Sequence, residues 1–288
     1  MKKRIIKSII YLTALLPLNV LYLFADIFAF LMCNVVKYRR KLVRKNLSMA
    51  FPEKSDKELK QIEKDFYRFL CDNMIETVKL AHIGEKELSR RIELVDVQYI
   101  NNAGKEGRSS VVFLGHYGNW EWVQEMVRDI DDNIFKGSIY HPVKSRVWDE
   151  IFLELRGRWK AHIVPQNKSI KTMLDKENQP WVFGFIADQR PSPAFGVNWL
   201  DFLDIETEFI TGPEDIGRKI GAAFFYLDVE RLKRGYYRLT LKPLTPDPDA
   251  DKYPLTHSFW KEFEKTVRRN PALWLWSHNR WKYKRKIK

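Results

Sequence analysis

Apolar positions along this chain fall into three textures. Residues 9–36, IIYLTALLPLNVLYLFADIFAFLMCNVV, are almost continuously apolar. From about 40 to 84 the apolar positions recur with a helical period. RRKLVRKNLSMAF reads as a basic amphipathic helix that Pro52 ends. A second helix follows, with Ser55 as N-cap and Glu58 three residues on, the capping-box spacing. Leu59, Ile62, Phe66, Phe69, Leu70, Met74, Val78 and Ala81 form its apolar face, and Gly84 closes it. From about 92 short apolar runs alternate with helical patterns. IELVDV, SSVVFLG, NIFKGSIYH, AHIVP, QPWVFGFIA, AAFFYLDVE and YYRLTLKPL read as strands; 118–128, 144–160, 168–176 and 211–220 read as helices. The alternation predicts an α/β fold, a central sheet covered by helices on both faces.

The apolar run is long enough to cross a hydrocarbon core of about 30 Å at about 1.5 Å per helical residue. It is not a clean span, because Pro17, Asn19 and Asp26 interrupt it. Charge adds to the picture. Residues 1–45 hold ten Lys and Arg against the single acid Asp26, and residues 280–288 hold six with no acid. The net +13 therefore sits at the two ends, and the body is nearly neutral. Basic residues beside an apolar segment suit an anionic membrane surface. A nucleic-acid binder would carry a basic stripe across the body and a binding motif, and neither is present. Basic flanks on both sides of 9–36 oppose a simple span. The segment is read as one uncleaved anchor, as a bent segment hinged near Pro17 that dips into the cytoplasmic leaflet, or as a helix packed on the body. Each leaves the body in the cytoplasm. The division expected is a basic-flanked anchor at 1–45 and a second unit at 46–288, with a helical lead-in at 46–91 and an α/β core at 92–288.

Candidate chemistry concentrates at VVFLGHYGNWEW, residues 111–122. His116 ends a predicted strand, where sites in α/β sheets gather. Glu121 follows five positions later. On one helix the two would stand about 140° apart. They meet only if His116 sits on a strand-to-helix turn, which Gly115 and Gly118 permit, with Asn119 as N-cap and Glu121 in the first turn. A His held by a carboxylate is the base-plus-orienter part of a catalytic triad. No GxSxG elbow supplies a nucleophile, and Cys33 and Cys71, read as free thiols, lie elsewhere. The nucleophile is then a substrate hydroxyl. No metal is expected, since none of the six His residues has ligand spacing.

These residues resemble the lipid A biosynthesis acyltransferases, the late or secondary acyltransferases. GHYGNWE is similar to their His-x4-Glu motif. RKNLSMAFPEKSDKEL, FIADQRP and NPALWLWSHNRWK are similar to three further stretches of that family, in the same order. FPEKS also resembles the FPEG block of glycerol-phosphate acyltransferases, but it precedes the His motif and lacks the Gly.

The resemblance implies an acyltransferase-type α/β fold. It implies an acyl-acyl carrier protein donor, a hydroxyl acceptor on a phosphorylated glycolipid, and the cytoplasmic face of the inner membrane. It makes His116 and Glu121 the catalytic pair, with no cofactor. Arg156 or Arg158 would stabilise an oxyanion or hold phosphate. Asn119, Asp188, Gln189 and Arg190 are further substrate-binding candidates. A lysophospholipid or amino-acid lipid is the alternative acceptor, and a non-catalytic lipid- or carrier-binding relative the alternative role. Trp274, Trp276 and Trp281 read as an interfacial belt or as core packing.

Overall fold

The computed structural model describes residues 2–143, 145–157, 161–176, 179–191, 198–283 and 285. Helix α1 (Lys2–Leu15) and helix α2 (Leu18–Phe30) are separated at Pro17, and a π-helical turn, Leu31–Val35, extends α2. Pro17 has no N–H to continue a helix, so the chain bends there. Helix α3 (Arg40–Ala50) and helix α4 (Asp56–Lys79) follow. The Ser55–Glu58 capping box is formed at the start of α4.

The α/β part runs α5 (Glu85–Ser89), β1 (Ile92–Val95), α6 (Gln98–Lys105), β2 (Ser110–Leu114), a 3-10 helix (Trp122–Asp129), β3 (Phe135–Tyr140), α7 (Arg146–Arg156), β4 (His162–Pro165), α8 (Gln166–Asp175) and β5 (Trp181–Ile186). It continues β6 (Asn198–Phe202), β7 (Ile205–Phe209), α9 (Gly212–Lys219), β8 (Ala223–Lys233), β9 (Tyr236–Pro243), α10 (Pro254–Arg269) and a short 3-10 turn, Pro271–Leu273. Seven strands form one sheet in the order β1-β9-β8-β2-β5-β3-β4. It is parallel except between β8 and β9. All seven strands read from the sequence are in it. The separate β6–β7 hairpin was not anticipated.

Helices cover both faces. Val111 and Phe224 are in register on β2 and β8. Phe113, on the same face as Val111, stacks on Phe224 and on Phe259 of α10, the latter at 5.0 Å. Phe225 points the other way and stacks on Tyr99 of α6. The three tail tryptophans are core: Trp274, Trp276 and Trp281 are 3%, 1% and 7% exposed and pack edge-on or tilted against one another.

Helix α2 lies along α4. Tyr22 Oη donates to Glu76 at 2.7 Å, and Arg234 bridges Asp26 on α2 to Asp72 on α4. Lys79 Nζ donates to the carbonyls of Ala14 and Leu16, which the break at Pro17 leaves open.

Candidate active site

The site is built on two neighbouring parallel strands. Leu114, the last residue of β2, is in register with Ile186, the last of β5. Carried two residues further, that register sets His116 opposite Asp188. The His116 Nδ1–Asp188 Oδ1 distance is 2.7 Å. Trp274 Nε1 donates to the other carboxylate oxygen, also at 2.7 Å. Asp188 is 2% exposed. Burial pushes its carboxyl upward, but the nearby His116 and the bonds from His116 and Trp274 outweigh that and hold it below the usual carboxylate range. An ionised Asp188 accepts from Nδ1–H, which fixes the tautomer and leaves Nε2 as the basic nitrogen. Nε2 has Gln189 Nε2 at 3.3 Å. The His116 side chain is 20% exposed.

Local chemistry shapes the loop. Gly118 has φ +58, a conformation that L side chains rarely adopt. A Cβ on Gly115 would run into the Phe263 ring. Asn119 Oδ1 accepts from the N–H groups of Glu121 and Trp122, the capping role expected of it. Its amide donates to Glu76 at 2.6 Å, so it faces the interior. Asn73 of α4 donates to the Gly118 carbonyl, and Trp120 packs edge-on to His116 with ring centroids 5.4 Å apart. On the other flank Gly118 N–H donates to Leu273, and Leu275 N–H donates to His116.

Glu121 differs from its expected place. No hydrogen bond joins it to His116 among the described residues. It holds Arg156 with two bonds, 2.9 Å from Nε and 2.6 Å from Nη2. The 3-10 helix begins only at Trp122, so Glu121 stands on the turn before it and faces α7. Burial disfavours the Arg156 cation, yet the bond and charge of Glu121 raise its pKa further. Arg158 lies outside the described residues. His162 opens β4 and stacks on Phe135, level with Val111 and well below the strand ends.

A model of the bacterial lipid A biosynthesis acyltransferases matches residues 5–283. The chain belongs to this family. The lipid A biosynthesis lauroyltransferase of Escherichia coli (strain K12) is 22% identical over 278 residues, 96% of this chain and 89% of its own length. The palmitoleoyltransferase of the same strain is 23% identical over 254 residues, covering 86% and 80%. The myristoyltransferase is 22% identical over 243 residues, covering 83% and 73%. Family membership makes this chain an acyltransferase. It agrees with a site that offers, at the end of a strand, a His whose ring is buttressed by a buried carboxylate.

Two site features escaped the sequence reading of these residues. The strand-end position of Asp188 fits either a substrate contact or support of the site, and the structure pairs it with His116. The sequence reads Trp274 as packing or a belt, and nothing local marks it as the second donor to Asp188.

Proposed function

We propose that this chain moves a fatty acyl group from an acyl-acyl carrier protein to a hydroxyl of a lipid A precursor, with His116 as general base and Asp188 as its orienting carboxylate. The observation that carries the reading is the 2.7 Å bond between His116 Nδ1 and Asp188 at the carboxyl edge of the sheet, which leaves Nε2 as the basic nitrogen of a partly exposed ring. His116 Nε2 takes the acceptor hydroxyl proton as that oxygen attacks the thioester carbonyl. The tetrahedral intermediate collapses to the ester and expels the carrier's thiolate, which recovers the proton from His116. Asp188 remains ionised and stabilises the imidazolium. Arg156, held by Glu121, is a candidate for the carbonyl oxyanion.

The test is acyl transfer from radiolabelled acyl-acyl carrier protein in membranes holding wild type, His116→Ala or Asp188→Asn. A lipid A precursor and a lysophospholipid are offered together. Label on the precursor, lost in both variants, is expected. Near-wild-type transfer by His116→Ala would sink the mechanism, and label on the lysophospholipid would move the acceptor.

The same proposal places the enzyme on the cytoplasmic leaflet of the inner membrane, dipping into it rather than spanning it. Leu12, Leu23, Phe28, Phe30 and Val35 are exposed on α1, α2 and the π turn, while Leu21, Ala25 and Cys33 are buried against the body. An apolar face of this kind suits insertion into one leaflet. Tyr22, Asp26 and the Ala14 carbonyl are tied to Glu76, Arg234 and Lys79. A span would carry those polar partners into hydrocarbon. Impermeant maleimide, applied to cysteines engineered at each terminus, should reach both only from the cytoplasmic side. Labelling of the N-terminus from the opposite side alone would establish a span.

A further inference from the structure

Beside the His116–Asp188 pair lies a group of cationic and imidazole side chains with open hydrogen-bond donors. Arg190 follows Gln189 directly, and Arg280 and His278 come from the tail that also carries Trp274. Nε and Nη1 of Arg190, Nε and Nη1 of Arg280, and Nε2 of His278 are buried and make no hydrogen bond. Arg280 is 2% exposed. Its Nη2 donates to the Glu208 carbonyl, and its guanidinium lies over the Trp260 ring at 5.2 Å. Ordinary packing does not leave the N–H groups of four guanidinium nitrogens without acceptors, because each open donor in an apolar setting destabilises the fold. Oriented donors of this kind suit an oxyanion.

Among the described residues the surroundings do not supply that oxyanion. Both oxygens of Asp188 are engaged by His116 and Trp274. Glu208, the other carboxylate facing the group, is buried beside Arg280. Even with both acids near, burial brings the Arg280 pKa down to about 10. Burial likewise lowers His278 to about 4 against the pull of Asp188, helped by the nearby Arg280, His116 and Arg190. Burial thus outweighs the pull of the two acids at this corner. The tail is also tied to the N-terminal part of the chain: Asn46 donates to the carbonyls of Trp276 and His278, and Arg39 to that of Ser277. These bonds fix the backbone that carries His278 and Arg280. Tyr283 covers Arg190, with its ring 4.8 Å away, and is itself 45% exposed. It is the side chain an entering group would displace.

We propose that Arg190, Arg280 and His278 form an oxyanion site next to the base, which takes a phosphate group carried by a substrate. Two substrates of the proposed reaction carry that chemistry: the acceptor lipid's phosphate and the phosphodiester of the carrier's pantetheine arm. Assignment to either rests on the acyltransferase reading; the binding itself does not.

The full chain in dodecyl maltoside micelles is titrated with dodecyl phosphate and, separately, with phosphopantetheine. Fluorescence of Trp260 and the tail tryptophans is followed, with chloride at matched ionic strength as control. A saturable change with at least one phosphate probe is expected. Its Kd should rise about tenfold or more in Arg280→Gln and in Arg190→Gln. Arg190, being less buried, keeps the test informative if Arg280→Gln does not fold. Binding of dodecyl phosphate alone assigns the site to the lipid; phosphopantetheine alone assigns it to the donor. No saturable binding, or equal affinity in wild type and Arg190→Gln, overturns the proposal. Phosphate binding by a chain that transfers no acyl group would overturn the acyltransferase mechanism and keep the site.

Discussion

Two buried carboxylates, Glu76 and Asp188, sit on either side of the His116 loop and behave differently. Their exposure is nearly the same, 0% and 2%. Glu76 accepts from Tyr22, Tyr237 and Asn119, all uncharged donors, and burial pushes its carboxyl upward. Asp188 accepts from Trp274 and from an imidazole that can take up charge, and it is held below the usual range. Burial alone therefore does not mark a functional acid. The partner does: one that can become a cation makes the buried acid a charge stabiliser, and neutral hydroxyls and amides make it a structural hub. Glu76 joins α2, α4, β9 and the site loop, whereas Asp188 joins the His116 imidazole to the Trp274 indole of the tail.

The largest expected effect separates the two acids by readout. Asp188→Asn should lower the rate of acyl transfer by roughly 10³–10⁴-fold, because Asn at Nδ1 no longer fixes the basic tautomer. Its unfolding midpoint should move little, since Asn still offers an acceptor to Trp274; single-turnover rates and chemical denaturation read the two separately. Glu76→Ala should do the opposite. It leaves three buried donors open and should cost about 2–4 kcal/mol of stability, with the folded fraction retaining its turnover. A Glu76→Ala protein with unchanged midpoint would end the comparison.

A smaller effect concerns Glu121. If it acts through Arg156, a double-mutant cycle of Glu121→Gln and Arg156→Gln on transfer rate should show coupling of about 1.5–3 kcal/mol. Additive losses would return Glu121 to an independent role.

The smallest effect is in pH dependence. Glu76 has a raised carboxyl in the fold, so its contribution is present below the unfolded value and lost as pH rises through the folded one. Asp188 has a lowered carboxyl, so its contribution is present above the unfolded value and lost as pH falls through the folded one. Difference curves of stability against pH for Glu76→Gln and Asp188→Asn should slope in opposite directions. His278 adds a third signature. It is neutral in the fold down to about pH 4, while the unfolded chain protonates near its ordinary 6.5. Stability should fall as pH drops through that window, by about 1–2 kcal/mol after allowing for its partial exposure. His278→Gln should flatten that slope.

The sequence by itself determined what local chemistry determines. Seven strands, the Ser55–Glu58 cap, the break at Pro17, the turn at Gly118 and the place of His116 at a strand end all follow from short-range pattern and backbone rules. The β6–β7 hairpin escaped because its turn residues, Leu203 and Asp204, take positive φ without the usual Gly or Asn signal. The tertiary structure decided who meets whom. His116 and Asp188 are 72 positions apart and meet because β2 and β5 are neighbours in parallel register. Glu121, five residues from His116, turns instead toward Arg156 on α7. The tail's Trp274 reaches Asp188 across 86 positions, and the same tail brings His278 and Arg280 beside Arg190. Strand order and side-chain direction arise from the packing of the whole sheet and its covering helices. Spacing along the chain encodes neither of them.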